Sequence, residues 1–292
     1  MQHVERTGPS GVVVLDGHGN VRGLPDALIR AHFRETGALW IRGGNVDPPG
    51  FLELVQRFAR SLITIDSEER QRHADVPQLQ LVTGGEQALN FHTELGHAPN
   101  RPEFLSFFCE TRAHKGGQTL LADGVALWRA LSLPTRRFLT QHRIRYVMRA
   151  PHPWWSRFLG GDSPEVVEAA LGGVPGLTFK IEHDGVLVTD WCTSAAFLPK
   201  FGNQLAVASN VFPYVVPGLT VSMEDGGPVP FRVGVELLAH SASLATPVEW
   251  ESGDVVLFDN TRWLHGRTKV EDSNRCVHML MGYLNFGAED AA

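Results

Sequence analysis

GDVVLFDNTRWLHGR, Gly253 to Arg267, is the stretch on which the reading of the fold turns. Gly253-Asp254 reads as a turn, because glycine gives the backbone freedom and aspartate bonds its own main chain. Val255 to Phe258 is an apolar strand of four residues. Asp259-Asn260 ends it, and His265 follows a few residues on. Short apolar strands closed by turn residues belong to sandwiches and barrels.

The same texture extends outward from this stretch. From Gln78 onward, QLQLVTGG (78–85), FLSFFCE (104–110), QTLLADG (118–124), RIRYVMR (143–149), LTFKIEH (177–183), GVLVTDW (185–191) and TPVEW (246–250) are short and bounded by Gly, Pro, Asn or Asp. Two helical insertions interrupt them, roughly 124–141, broken by Pro134, and roughly 230–244. Before Gln78 the pattern differs. Val12–Leu15 reads as a short strand. Leu24 to Glu35 has a loose helical spacing and meets Gly37 as a stop signal. ALWIRG (38–43) reads as a strand. Pro48-Pro49 then opens a second helix with Phe51, Leu54, Val55, Phe58 and Leu62 on one face. The expectation is a mainly β fold with flanking α-helices and a double-stranded β-helix (jelly roll) core. It forms one catalytic domain over 1–292, with a helical part at about 1–77 and the core at about 78–285. A doubly wound α/β fold fits less well, because helices and strands do not alternate and no glycine-rich phosphate loop follows a first strand.

Composition narrows the function classes. Of the 292 residues, 43% are hydrophobic and 20% charged, ordinary for a globular chain with a sizeable core. The net charge of -6 lacks the basic footprint of a nucleic-acid binder. No apolar run is long enough to span a membrane, and the N-terminus lacks the apolar stretch of a signal peptide. Three widely spaced cysteines, Cys109, Cys192 and Cys276, read as free thiols in a reducing compartment, so cytoplasm is the expected location.

The sharpest chemical feature is Asn90-Phe91-His92-Thr93-Glu94. On a strand, side chains alternate faces, so His92 and Glu94 would point the same way. A third ligand from a distant strand would complete one face of an octahedron, as in non-haem Fe(II) oxygenases. Alone, the pair is a weak signal that occurs by chance in many proteins, and it reads first as a partly exposed histidine and a solvated glutamate. The distant partner is His265, and Arg275 lies ten residues beyond it at the entry of an apolar strand. An arginine there needs an anion, either an internal carboxylate or the carboxylate of an organic acid.

With these segments in hand, the chain resembles the taurine dioxygenase-like, clavaminate synthase-like branch of the Fe(II)/2-oxoglutarate oxygenases. The resemblance rests on His92-Thr93-Glu94, Gly116-Gly117-Gln118-Thr119, Gly253-Asp254 through Asp259-Asn260, His265 and Arg275. They stand in family order over roughly 78–285, with Thr119 27 residues after His92. It implies that His92, Glu94 and His265 ligate Fe(II), and that Thr119 and Arg275 bind the distal carboxylate of 2-oxoglutarate. It also implies dioxygen as the third reactant. Asp259 and Asn260 are expected to shape the turn that delivers His265. Arg267 has two readings, cosubstrate or substrate contact and structural pairing. Many relatives have Asp in place of Glu94, and Met279 stands where taurine dioxygenase carries a second arginine for the sulfonate, which argues against a small sulfonate substrate.

The expected activity is hydroxylation of an unactivated C–H bond of a small molecule, an amino acid or amino-acid-derived specialised metabolite, free or tethered to a carrier protein. Desaturation, cyclisation or catabolic oxidation of a small organic acid are the alternatives. Candidate substrate contacts are Asn90, Trp191, Phe212, Trp263 and Arg267, although aromatic residues of a β-rich protein are usually core. PHPWW (151–155) reads as a proline-bounded loop, a lid or a dimer contact. His97 and His114 read as non-ligands. A zinc hydrolase would not need Thr119 and Arg275, and a non-catalytic jelly-roll binder would not need all three ligands.

Overall fold

A computed structural model describes residues 4–65, 70–82, 85–211, 216–272 and 274–287. Its framework is a large sheet facing a small one. The large sheet runs in the order Val4–Thr7, Val12–Asp16, Ala38–Arg42, Val255–Asp259, Phe104–Thr111, Cys276–Leu284 and Ala59–Ile63, with Gln80–Leu81 also paired to Cys276–Leu284. The small sheet runs Thr246–Val248, Thr119–Asp123, Trp263–Arg267 and Leu89–His92. A third sheet of Leu177–Ile181, Leu187–Ser194, Arg143–Ala150 and Leu219–Met223 is inserted beside them.

The period of two along each strand sorts residues between the two faces of the large sheet. Ala38, Trp40, Leu105, Phe107, Val256, Phe258 and Met279 form one cluster with Leu121 and Trp263 of the small sheet. Their neighbours Leu39, Ile41, Phe104, Phe108, Val255 and Leu257 form another with Ile29 and Phe33 of helix Asp26–Thr36 and Phe51, Leu54 and Val55 of helix Pro48–Gln56. This two-sided burial explains why Val255–Phe258 is apolar at every position. The stretch 253–267 supplies one strand to each sheet, with a turn between them at residues 260–262. That crossing makes the core a double-stranded β-helix.

Several expectations are corrected. The helix begun at Pro48 stops at Gln56, and Leu62 belongs to strand Ala59–Ile63, paired antiparallel with Cys276–Leu284. Edge pairing there outweighs a helical spacing that Phe58 and Leu62 would have continued. Before residue 78 the strands read at Val12 and Ala38 are present as Val12–Asp16 and Ala38–Arg42, and Val4–Thr7 and Ala59–Ile63 add two more to the large sheet. PHPWW is the start of helix His152–Leu159, with proline in its first turn, and a second helix, Pro164–Leu171, follows. The insertion at 124–141 is two helices, Gly124–Ala130 and Leu133–Gln141, the second N-capped by Ser132. Among the described residues, no helix is long and apolar enough to cross a membrane.

Candidate metal and cosubstrate centre

Strand pairing creates the centre. Trp263–Arg267 lies antiparallel to Leu89–His92 with His265 directly opposite His92. The two imidazoles are cross-strand neighbours, ring centroids 4.2 Å apart. Glu94 is not on that strand, which ends at His92. It reaches the histidines because side chains of two asparagines splint the turn that follows. Thr93 N–H donates to Asn210 Oδ1 at 2.9 Å, and Asn210 Nδ2 donates to the Thr93 carbonyl at 3.1 Å. Asn260 repeats the pattern on Glu94, accepting from its N–H at 2.9 Å and donating to its carbonyl at 2.9 Å. Asn260 therefore fixes Glu94 as well as the turn ahead of His265. Asp259 Oδ1 closes that turn by accepting from Thr261 N–H at 2.8 Å.

His92, Glu94 and His265 are all buried, and one donor atom from each falls within 4.8 Å of the others. His92 Nδ1 lies 2.8 Å from the Asn90 carbonyl. A carbonyl only accepts, so Nδ1 carries the proton and Nε2 keeps its lone pair. His265 Nε2 stands 3.9 Å from Glu94 Oε2, too far for a hydrogen bond. The other carboxylate oxygen, Oε1, accepts from Arg70 Nη2 at 2.7 Å. Burial pushes the Glu94 carboxyl up, but the charge and hydrogen bond of Arg70, with the two imidazoles beside it, bring the group down to about 2. Burial pushes both histidines down, His265 well below the ordinary range, so both rings are neutral at pH 7. Two neutral imidazoles and an ionised carboxylate are a donor set that fits Fe(II).

Arg275 and Thr119 line the same cavity as the three donors, together with Arg70, Arg267 and Met279. Arg275 donates from Nε to the Gly117 carbonyl at 3.0 Å. The glycine pair explains this packing. Gly117 has φ +72°, and a Cβ on it would stand 2.8 Å from Arg275 Cδ. A Cβ on Gly116 would stand 2.1 Å from the Lys269 carbonyl oxygen. Thr119 Oγ1 accepts from Trp250 Nε1 at 3.3 Å, which leaves its hydroxyl proton to donate. Burial draws the Arg275 guanidinium down to about 10, with Arg267 adding to the effect, and it stays charged at neutral pH.

The remaining candidates separate. Arg267 lines the cavity and donates to the carbonyls of Gly85 and Gln87, both at 2.9 Å, so it ties down the segment before the metal strand. The Asn90 side chain is exposed, and only its carbonyl serves the centre. Trp263 is wholly buried, donating to the Thr36 carbonyl at 2.9 Å, and is core rather than substrate wall. Trp191 packs against Tyr146 in the inserted sheet and donates to the Pro175 carbonyl at 3.3 Å, away from the cavity. Phe212 lies outside the described residues. Arg70 was not legible in sequence, where it stands in a run of charged residues with no motif spacing.

A jelly roll closed around two histidines and a carboxylate, with a buried arginine in the same cavity, defines the class of non-haem oxygenases. The comparisons place the chain more closely. Residues 20–283 match the family described as taurine catabolism dioxygenase TauD, TfdA family, and the chain belongs to it. By that membership the protein is a dioxygenase. Among solved structures it is similar to a taurine dioxygenase from Burkholderia xenovorans (TM-score 0.64, 18% identity, 99% of this chain and 92% of that one). It is similar also to PvcB from Pseudomonas aeruginosa (TM-score 0.60, 13% identity, 96% and 90%). A third is AAD-2, solved in complex with Mn(II) and N-oxalylglycine (TM-score 0.60, 12% identity, 99% and 99%). No curated protein matches the sequence.

Proposed function

We propose that His92, Glu94 and His265 hold Fe(II), that Arg275 and the Thr119 hydroxyl hold the distal carboxylate of 2-oxoglutarate, and that the enzyme hydroxylates an unactivated C–H bond of a small molecule. One observation carries the reading. Three buried donors converge in the cavity that Arg275 and Thr119 also line. Bound Fe(II), with 2-oxoglutarate and dioxygen, supplies the oxidising power for C–H cleavage.

The chain's part is positioning. Asn90 sets the His92 tautomer, Asn260 holds the Glu94 backbone, and Arg70 occupies one Glu94 oxygen so that the other faces His265. Gly117 lets Arg275 lie close beneath it, with its terminal nitrogens available to a carboxylate. Burial of His92, Glu94, His265 and Asn260 strengthens each charge interaction among them. The substrate is an amino acid or amino-acid-derived metabolite, free or tethered to a carrier. In support, Met279 lines the cavity with no charge of its own for a sulfonate, and the nearby Arg70 is engaged by Glu94.

The test mixes anaerobic protein with Fe(II) and 2-oxoglutarate and records the visible spectrum. Wild type should show a weak charge-transfer band that the His265→Ala variant lacks. Iron-loaded wild type without the band would overturn the assignment.

A further inference from the structure

A second recess lies against the turn that carries Glu94. One wall is Leu95 and His97, directly after the proposed ligand, and the facing wall is Trp154 and Phe158 of helix His152–Leu159. Met148 and Thr189 of the inserted sheet form its floor. Among the described residues, no Asp, Glu, Lys or Arg lines it. Trp154 and Phe158 stack at 5.5 Å with an interplanar angle of 8°, so that wall is aromatic and held by the pair. Leu95 and Phe158 pack in the same cluster as Phe107 and Met279, which line the metal cavity, so the two spaces flank one turn. His97 is buried, and its Nδ1 has no hydrogen-bond partner. The imidazole in this otherwise apolar wall offers a hydrogen-bonding group to a molecule that enters the recess.

We propose that this recess takes the apolar, uncharged body of the substrate, an aromatic ring or branched aliphatic group, with a neutral hydrogen-bonding group facing His97. The proposal rests on the oxygenase reading above and narrows its substrate. A small charged molecule finds no counter-charge in these walls, and burying its charge there is costly. An amino-acid-derived substrate fits when its apolar side chain enters and its charged end is masked or held elsewhere. The partner faces an uncharged ring, because burial draws His97 down to about 4.

The probe is 3-phenylpropanamide, titrated calorimetrically into the protein with and without Fe(II) and 2-oxoglutarate under argon, with taurine as the charged comparison. Two variants accompany wild type: Phe158→Ala, which removes half of the aromatic wall, and Thr189→Phe, which fills the recess and leaves the helix sequence unchanged. Binding of the amide but not taurine, weakened about tenfold or more by each variant with Fe(II) binding unchanged, is the expected result. An amide that does not bind wild type, or binds Thr189→Phe equally well, overturns the proposal and leaves the oxygenase reading standing. If Fe(II) and 2-oxoglutarate fail to bind while the amide still does so in a recess-dependent way, the oxygenase reading falls and the recess remains a binding site.

Discussion

Among the described residues, the molecule holds two clusters of two histidines and a glutamate, and only one is suited to a metal. In the first, His92 Nδ1 faces a carbonyl, so the ring keeps its lone pair on Nε2 and stands in one donor cluster with Glu94 and His265. In the second, His73 Nδ1 accepts from the N–H groups of Asp75 and Val76, each at 3.1 Å. Its neutral ring must then carry the proton on Nε2, the atom that faces Glu110 at 3.9 Å. His278 Nε2 lies 2.6 Å from Glu110 Oε2, a hydrogen bond, and the Cys276 thiol donates to the same oxygen at 3.3 Å. The first cluster presents the His92 Nε2 lone pair, whereas in the second the His73 Nδ1 lone pair and the His278 Nε2 proton are already engaged. Residue type and proximity are shared, and the backbone group behind one imidazole sets the difference.

The largest effect expected on this contrast is from His265→Ala. Removing one of three ligands should lower Fe(II) affinity by two orders of magnitude or more and abolish 2-oxoglutarate turnover, measured by anaerobic metal binding and succinate release. A variant that keeps wild-type iron affinity would break the assignment. Next, Arg275→Gln should raise the Kd for 2-oxoglutarate about a hundredfold while leaving Fe(II) affinity near wild type, since a buried charge-assisted pair contributes about 2–3 kcal/mol. Gly117→Ala should reproduce part of that loss, because its Cβ would press on Arg275 Cδ. If Fe(II) and 2-oxoglutarate affinities fell together in Arg275→Gln, the separation of roles would be wrong.

Much of this was legible before any coordinates. The crossing stretch 253–267, the G-G-x-T segment and the three donors are each short local patterns, and local patterns survive in one-dimensional text. What was lost depends on distant contacts. Glu94 looked like a strand residue, yet it stands in a turn splinted by Asn210 and Asn260, 116 and 166 positions away. Arg70 has no motif, and only the folded sheet brings it to Glu94. Trp263 and Trp191 resembled substrate contacts because aromatic residues near a ligand read alike whether buried in core or facing a cavity. Proline in PHPWW suggested a loop, although the same residue suits the first turn of a helix.

Asn260→Ala sharpens the comparison by loosening the Glu94 turn without removing a ligand. It deletes hydrogen bonds to the Glu94 backbone and to the Pro102 carbonyl in a fully buried place, so stability should fall by about 3 kcal/mol. Fe(II) affinity should fall with it, because Glu94 would no longer be held. Chemical denaturation and metal titration measure the two losses. Wild-type iron affinity in a destabilised protein would show that Glu94 needs no such splint.

His97 gives a pH test. Its folded value, about 4, lies below the ordinary 6.5, so the unfolded chain binds the proton more readily. Above pH 6.5 this costs nothing. As pH falls from 6.5 toward 4 the native state loses up to ~3 kcal/mol relative to the unfolded one. His97→Leu should therefore flatten stability across that window and leave it unchanged in slope above pH 7. Urea melts at pH 7.5, 6 and 5 decide it, and an unchanged acid slope would mean that His97 is not the group responsible.

The smallest expected effect concerns the second cluster, and it is the most direct challenge to the contrast. Burial pushes His278 down, so a neutral ring donates Nε2–H to Glu110, and that bond holds the Glu110 carboxyl below its ordinary range. The depressed carboxyl adds stability above its unfolded value near 4.5 and loses it as pH drops through the folded value. Glu110 is partly open to solvent, so His278→Gln should cost only about 1 kcal/mol at pH 7. It should leave metal stoichiometry untouched. Titrating wild type and this variant with Zn(II), which suits imidazole, carboxylate and thiol alike, should give one tight site in both. Two tight sites in wild type, with one lost in His278→Gln, would mean that a metal can turn the His73 ring against its backbone donors, and that tautomer does not separate the clusters.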